Sequence, residues 1–308
     1  MQDNNVRPGS WQAWVLAARP KTLAGAAVPV MIGLSLAWST WKNGSEFASG
    51  ITMNSAILIS VLCMFFAFVM QIDANFVNDY FDFMKGNDDE TRLGPKRACS
   101  MGWISSRQMR RGICWTTIIA GFIGLPLVKY GGVEMIIIGV LCILFCFLYT
   151  THLSYLGMGD VLVLLFFGIV PVCIPYYLIT GMITLEVIVA SIACGLVIDT
   201  LLMINNYRDI ENDTRAGKRT LAVRLGGKRS RKAYLALGIV ACGMGIVYAL
   251  NNHVGAFVLP LVYLFFHIHT YKRMVEIDQG ERLNAILGET ARNMFIYGVT
   301  ISIGLQIL

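Results

Sequence analysis

The chain has 308 residues, of which 56% are hydrophobic and only 14% charged, with a mean hydropathy of +0.62 and a formal net charge of +6. Water-soluble domains carry about 25% charged residues, so this composition excludes that class and describes an integral membrane protein. The positive balance does not point to nucleic acid, because membrane proteins use Lys and Arg to set their orientation.

Met1 is followed by Gln-Asp-Asn-Asn-Val-Arg-Pro with no apolar run, so no cleaved signal peptide is expected. Arg19-Pro20-Lys21-Thr22 then opens the first apolar stretch with two cations and a Pro suited to a helix start. Stretches of about 20 residues cross a hydrocarbon core of about 30 Å. They occur near 22–41, 53–77, 112–130, 133–151, 159–180, 184–207, 234–250, 254–271 and 291–308. The expectation is an all-α membrane protein, a single domain over 1–308 with nine transmembrane helices.

Every Lys and Arg except Lys42 and Lys129 falls before span one or in the connections after spans two, six and eight. The positive-inside rule then places the amino terminus and these connections in the cytoplasm and the carboxyl terminus outside, in the cell membrane.

Span two is rich in Phe and Met up to Gln71 and then turns polar, with Asp73, Asn75, Asn78, Asp79 and Asp82. Ionisable residues at that depth mark a cavity, an ion or a partner. After a loop containing Gly86, Gly94, Pro95 and Gly102, spans three and four form a hairpin through Lys129-Tyr130-Gly131-Gly132. The link from Tyr149 to Asp160 holds two Tyr and one acid but no Lys or Arg. Pro171 and Pro175 predict a kinked span five. Span six carries Asp199 and runs into Asn205-Asn206-Tyr207-Arg208-Asp209. His267 and His269, two apart, sit on different helix faces, and the eight Cys contain no Cys-x-x-Cys and read as apolar fillers.

The two polar stretches, 75–97 and 205–226, share one design. Each has the core Asn-(Asp/Asn)-Tyr-x-Asp and ends in an acidic-to-basic run, reaching Lys96-Arg97 in the first and Lys218-Arg219 in the second. Matching pieces in two halves of a membrane protein commonly meet at one site. If these ends are helical, Asn78 and Asp82 share a face with Asp79, and Asn205, Asp209 and Asp213 follow at steps of four. Carboxylates one turn apart repel, so a cation belongs between them. Lys and Arg could serve, but oxygen donors at this spacing suit magnesium, which takes one or two carboxylates, waters and phosphate oxygens. Lys85, Arg92, Arg97, Arg215, Lys218 and Arg219 could meet the remaining oxygens of a diphosphate. No nucleotide-binding Gly-rich loop and no His-Glu-x-x-His zinc site occurs. Metal-assisted departure of a diphosphate at a membrane surface is the reaction this set suits.

At these residues the chain resembles the UbiA superfamily of membrane-embedded prenyltransferases. Asn78-Asp79-Tyr80-Phe81-Asp82 with Lys85-Gly86-Asn87-Asp88, the opening Arg-Pro-Lys-Thr, Gly157-Met158-Gly159-Asp160 and the run from Asn205 to Gly226 are most similar to its naphthoate-prenylating branch. The resemblance implies helices around a central cavity that opens to the bilayer, capped by two Asp-rich cytoplasmic loops. It implies a polyprenyl diphosphate donor, a Mg2+ cofactor and 1,4-dihydroxy-2-naphthoate as acceptor, with carbon dioxide lost at the carbon that bore the carboxylate. The metal residues it implies are Asn78, Asp82, Asp88, Asp209 and Asp213, with Asp79 the alternative to Asp88. Lys21, Arg97, Lys218 and Arg219 are the diphosphate candidates, and Tyr149 and Asp160 weaker ones for the acceptor.

Two other readings remain open from residues alone. One keeps the chemistry and changes the acceptor to 4-hydroxybenzoate, homogentisate, a haem or a glycerol phosphate. The other is a transporter of an anionic substrate, disfavoured because the charges gather at one membrane face rather than near the midplane.

Overall fold

A computed structural model describes residues 6–44, 47–86 and 92–307. Its elements are α1 (Trp11–Ala18), α2 (Leu23–Lys42), α3 (Met53–Met84), α4 (Ser106–Gly131), α5 (Glu134–Leu153), α6 (Gly159–Thr180), α7 (Leu185–Arg208), the short α8 (Ile210–Arg215) and α9 (Leu221–Leu225), α10 (Gly227–Leu250), α11 (Val254–Ile277) and α12 (Leu283–Gly304). Among the described residues there is no strand.

Local chemistry fixes the helix ends. Ser10 caps α1, and Thr184 caps α7, each accepting a backbone N–H of the first turn. Thr52 with Ser55 starts α3 by a reciprocal capping box, and Ser105 with Gln108 does the same for α4. Arg19 takes a left-handed backbone (φ 52°) between α1 and α2, so α1 turns away from the span that follows.

Among the described residues, eight helices have the length and hydropathy of membrane spans, α1 and α2 counting together. The predicted ninth span is also helical over 22 residues, but Glu289 and Arg292 in its first half leave it short of that hydropathy. It starts at Leu283 and ends at Gly304, a shift from the predicted 291–308. Other boundaries move in the same sense. The 32-residue α3 is roughly 48 Å long at 1.5 Å per residue. Its last turns, Asn78 to Asp82 included, project past an apolar core of about 30 Å, where hydropathy no longer reports helix. Asp79 and Asp82 of the first motif therefore ride on a helix end and not in a loop.

Helices α2, α7 and α12 pack against one another, with α6 across α2 and α7, α10 across α7, α11 against α12, and α3, α4 and α5 on the other flank. Glycines set the closest crossings. A Cβ at Gly33 of α2 would stand 2.3 Å from the Val172 carbonyl of α6, and one at Gly195 of α7 2.7 Å from Leu164. The predicted kink in α6 is a π-helical turn over Leu164–Ile169, and the Phe167 carbonyl beneath Pro171 receives the Cys194 thiol at 3.9 Å. All eight cysteines are free.

Candidate active site

An apolar cavity of about 1180 Å³ runs between α2, α3, α4, α5, α6, α7 and the start of α12. Phe66, Met70, Phe166, Phe167, Ile174 and Leu201 are typical of its wall, while α10 and α11 contribute nothing to it. Its charged lining among the described residues is entirely cationic, Arg19, Lys21, Lys96 and Arg208, joined by the amides of Gln71, Asn78, Asn205 and Asn284. The two polar motifs stand at this end.

In the first motif, Asn75 donates to the Ala18 carbonyl (2.8 Å) and the Thr22 hydroxyl (2.9 Å), which anchors the turn carrying Arg19 and Lys21. Asn78 lines the cavity and accepts from the Thr150 hydroxyl. Asp82 pairs with Arg97 at 2.7 Å. Asp79 takes a different role from the one the spacing suggested. It is 1% exposed, and its two oxygens accept the backbone N–H groups of Ala98 (2.8 Å) and Cys99 (2.9 Å). Those bonds commit it to holding the turn that presents Arg97. Asp88 lies outside the described residues.

In the second motif the helix breaks at Asp209, yet the step of four survives. The Asp209 N–H donates to Asn205 (3.2 Å) and the Asp213 N–H to Asp209 (2.7 Å). Arg208, with a side chain 1% exposed, grips Asp209 with two bonds, Nε to Oδ1 (2.8 Å) and Nη2 to Oδ2 (2.5 Å). Its remaining bonds go to Asn205 Oδ1 (2.9 Å) and Asn284 Oδ1 (2.7 Å). Asp213 pairs with Lys218 at 3.4 Å. Burial raises the Asp213 carboxyl above its ordinary value; Lys218 opposes the rise, and the charges of Asp209 and Asp82 add to it.

The two motifs are neighbours, joined by two bridges. Tyr155, in the link between α5 and α6, has the ammonium of Lys85 4.2 Å from its ring centre and that of Lys218 5.5 Å away. Its carbonyl accepts the Arg219 N–H at 3.0 Å, while the Arg219 side chain is exposed. Asn284 of α12, bonded to Arg208, also donates to the Leu93 carbonyl of the first motif's loop at 2.8 Å.

Of the predicted residues, the structure places Asn78, Lys21 and Tyr149 on the cavity wall. Asp82, Asp209 and Asp213 are not on that wall; they lie beyond the mouth, each already paired with a cation. Asp160 is in a separate polar chamber of about 20 Å³ with Tyr149, Asn206 and Thr220. Asp73 is internal, bonded to Thr116 and Thr117. The sequence reading did not single out Arg208, Lys96, Tyr155 or Asn284. Arg208 was signalled by its place inside the repeated core, whereas Asn284 belongs to no motif.

The donor set fits magnesium without enclosing it. Among the described residues no three Asp, Glu, His or Cys side chains gather around one point. Magnesium, which commonly takes one or two carboxylates and completes its shell with water and phosphate, would have the oxygens of Asn78, Asp82, Asn205, Asp209 and Asp213 to draw on. The cations now on these carboxylates show that the site calls for positive charge.

The profile of the UbiA prenyltransferase family matches residues 26–298. The chain is 33% identical over 309 residues to the 1,4-dihydroxy-2-naphthoate octaprenyltransferase of Haemophilus influenzae, covering 96% of each chain. It is 35% identical over 242 residues to the enzyme of the same name from Escherichia coli, covering 75% of each. In fold it is similar to a UbiA homolog from Archaeoglobus fulgidus bound to GPP and Mg2+, with a TM-score of 0.61 at 14% identity over 94% of this chain and 99% of that one.

Proposed function

The chain belongs to the UbiA prenyltransferase family, and from that premise we propose that it transfers a polyprenyl group from polyprenyl diphosphate to 1,4-dihydroxy-2-naphthoate, with magnesium, at the cytoplasmic face of the cell membrane. The observation that carries this reading is the meeting of the two motifs at the mouth of one apolar cavity of about 1180 Å³. Relatives that bear the name 1,4-dihydroxy-2-naphthoate octaprenyltransferase support the acceptor. The Lys and Arg distribution supports the orientation, with the amino terminus and both motifs inside and the carboxyl terminus outside.

In this reading the apolar wall takes the isoprenoid tail, whose burial the bilayer does not oppose. Lys21, Lys96 and Arg208 line the cavity where the diphosphate would sit, and Arg97, Lys218 and Arg219 approach it from the two motif loops. Asn78, Asp82, Asn205, Asp209 and Asp213 would hold magnesium, with Asp79 in support beneath. When bound, magnesium supplies positive charge against which the diphosphate leaves. The bond between the allylic carbon and the diphosphate oxygen breaks, that carbon bonds to the ring carbon bearing the carboxylate, and carbon dioxide departs. Exclusion of water by the phenylalanines and leucines of the wall protects the allylic cation from hydrolysis. Tyr149, on the same wall and shared with the Asp160 chamber, is placed to orient the acceptor ring.

The test is a panel of acceptors. Protein in lipid vesicles with magnesium, polyprenyl diphosphate and 1,4-dihydroxy-2-naphthoate is expected to release diphosphate and carbon dioxide in equal amounts, and to release neither when magnesium is left out. Product from 4-hydroxybenzoate, homogentisate, a haem or a glycerol phosphate, and none from the naphthoate, would overturn the assignment.

A further inference from the structure

Asn284 lies in the first turn of α12, 75 residues beyond Asp209 in the chain, and no part of the motif pattern includes it. Its side chain nevertheless hydrogen-bonds to both motif regions directly. The carbonyl oxygen accepts from Arg208 Nη1 at 2.7 Å, and the amide nitrogen donates to the Leu93 carbonyl at 2.8 Å. A carboxamide does both, whereas a carboxylate lacks the donor and an ammonium lacks the acceptor. The fit around it is tight, because a Cβ at Gly94 would stand 2.9 Å from Arg208 Nη2.

Arg208 in turn has four of its five N–H groups engaged, two on Asp209, one on Asn205 and one on Asn284. A guanidinium held at all three nitrogens cannot swing, so the carboxylate of Asp209 is fixed in bearing as well. Leu93 is four residues before Arg97, the partner of Asp82. One amide on the last helix therefore links the stretch that carries Arg97, the partner of Asp82, to Arg208, the partner of Asp209.

We propose that Asn284 is a positioning residue for the diphosphate and metal site, holding the 93–97 stretch against Arg208 so that Asp82 and Asp209 stand at one fixed separation. The proposal rests on the function given above. It distinguishes Asn284 from an ordinary helix-packing residue in what it affects. Loss of packing lowers the amount of folded protein and leaves the affinities of the folded fraction alone. Loss of positioning weakens the binding of groups that both motifs must grip together, and spares the acceptor.

The experiment is Asn284→Leu in vesicles, near in volume and unable to make either bond. The expected result is a rise of about tenfold in both the KM for polyprenyl diphosphate and the magnesium concentration for half-maximal rate. The KM for the naphthoate should stay at the parent value, with the protein still folded though melting at a somewhat lower temperature. Unchanged diphosphate and magnesium dependence in folded Asn284→Leu overturns the proposal. So does a loss confined to the amount of folded protein. If Asn284→Leu does not fold, Asn284→Ala is read by the same two dependences and the same criteria. Asp209→Asn run alongside separates the two claims. Full turnover in Asp209→Asn defeats the proposed function, whereas an inactive Asp209→Asn beside an unaltered Asn284→Leu defeats the positioning role alone.

Discussion

The two motifs carry the same five-residue core and solve the same problem differently. On α3, Asn78-Asp79-Tyr80-Phe81-Asp82 imports its cation from Arg97, fifteen residues on. On α7, Asn205-Asn206-Tyr207-Arg208-Asp209 has its cation within the core, since Arg208 occupies the place of Phe81. Asp79 is spent on the backbone of Ala98 and Cys99, because a cation delivered from a distant turn needs that turn to be held. Asn206, its counterpart, has no such task and borders the small chamber beside Asp160. A repeated sequence pattern thus fixes where the two acidic side chains go and leaves each copy to arrange its own counter-charge.

The sharpest way to break this comparison is at the positions that the copies share in function. Asp82→Asn and Asp209→Asn are each expected to reduce the rate of diphosphate release by about 10³-fold with the protein still folded; a large loss in one and none in the other would show the halves to be unequal. Next come the positions where the copies diverge. Asp79→Ala strands two buried amides and is expected to lower stability by about 3 kcal/mol in thermal unfolding, whereas Asn206→Ala should cost no more than about 1 kcal/mol. Arg208→Lys keeps the charge and loses the two-pronged grip on Asp209, and kcat/KM is expected to fall about tenfold. The smallest effect concerns the shared tyrosines. Tyr207 donates to the Asp278 carbonyl at 2.5 Å, while Tyr80 packs edge-on against Phe81. Tyr207→Phe is therefore expected to lose about 1 kcal/mol of stability and Tyr80→Phe much less.

Much of this was legible in the residues. Hydropathy located the spans, because a hydrocarbon core leaves a run of apolar residues as its signature. It missed the true helix ends at Met84 and Ile277, where the helix continues into a polar setting that has no such signature. Spacing paired Asn78 with Asp82 and Asn205 with Asp209, because helix periodicity acts over one or two turns. It could not tell that Asp79 points away from the others in use, since that depends on the amides of a loop folded back over it. Nor could it find Tyr155 or Asn284, whose roles arise from contacts across more than sixty residues of chain.

The glycine crossings of α6 bear on how the enzyme's tail preference can change. Along the face where α6 meets α2 and α7, any added methyl strikes backbone or a packed Leu, so mutation there must displace a whole helix. On the opposite wall, Gly121 of α4 and Gly139 of α5 line the cavity with open space beside them. Evolution can therefore shorten the room for an isoprenoid one side chain at a time from α4 and α5, while the α6 side serves as the fixed jaw of a vice.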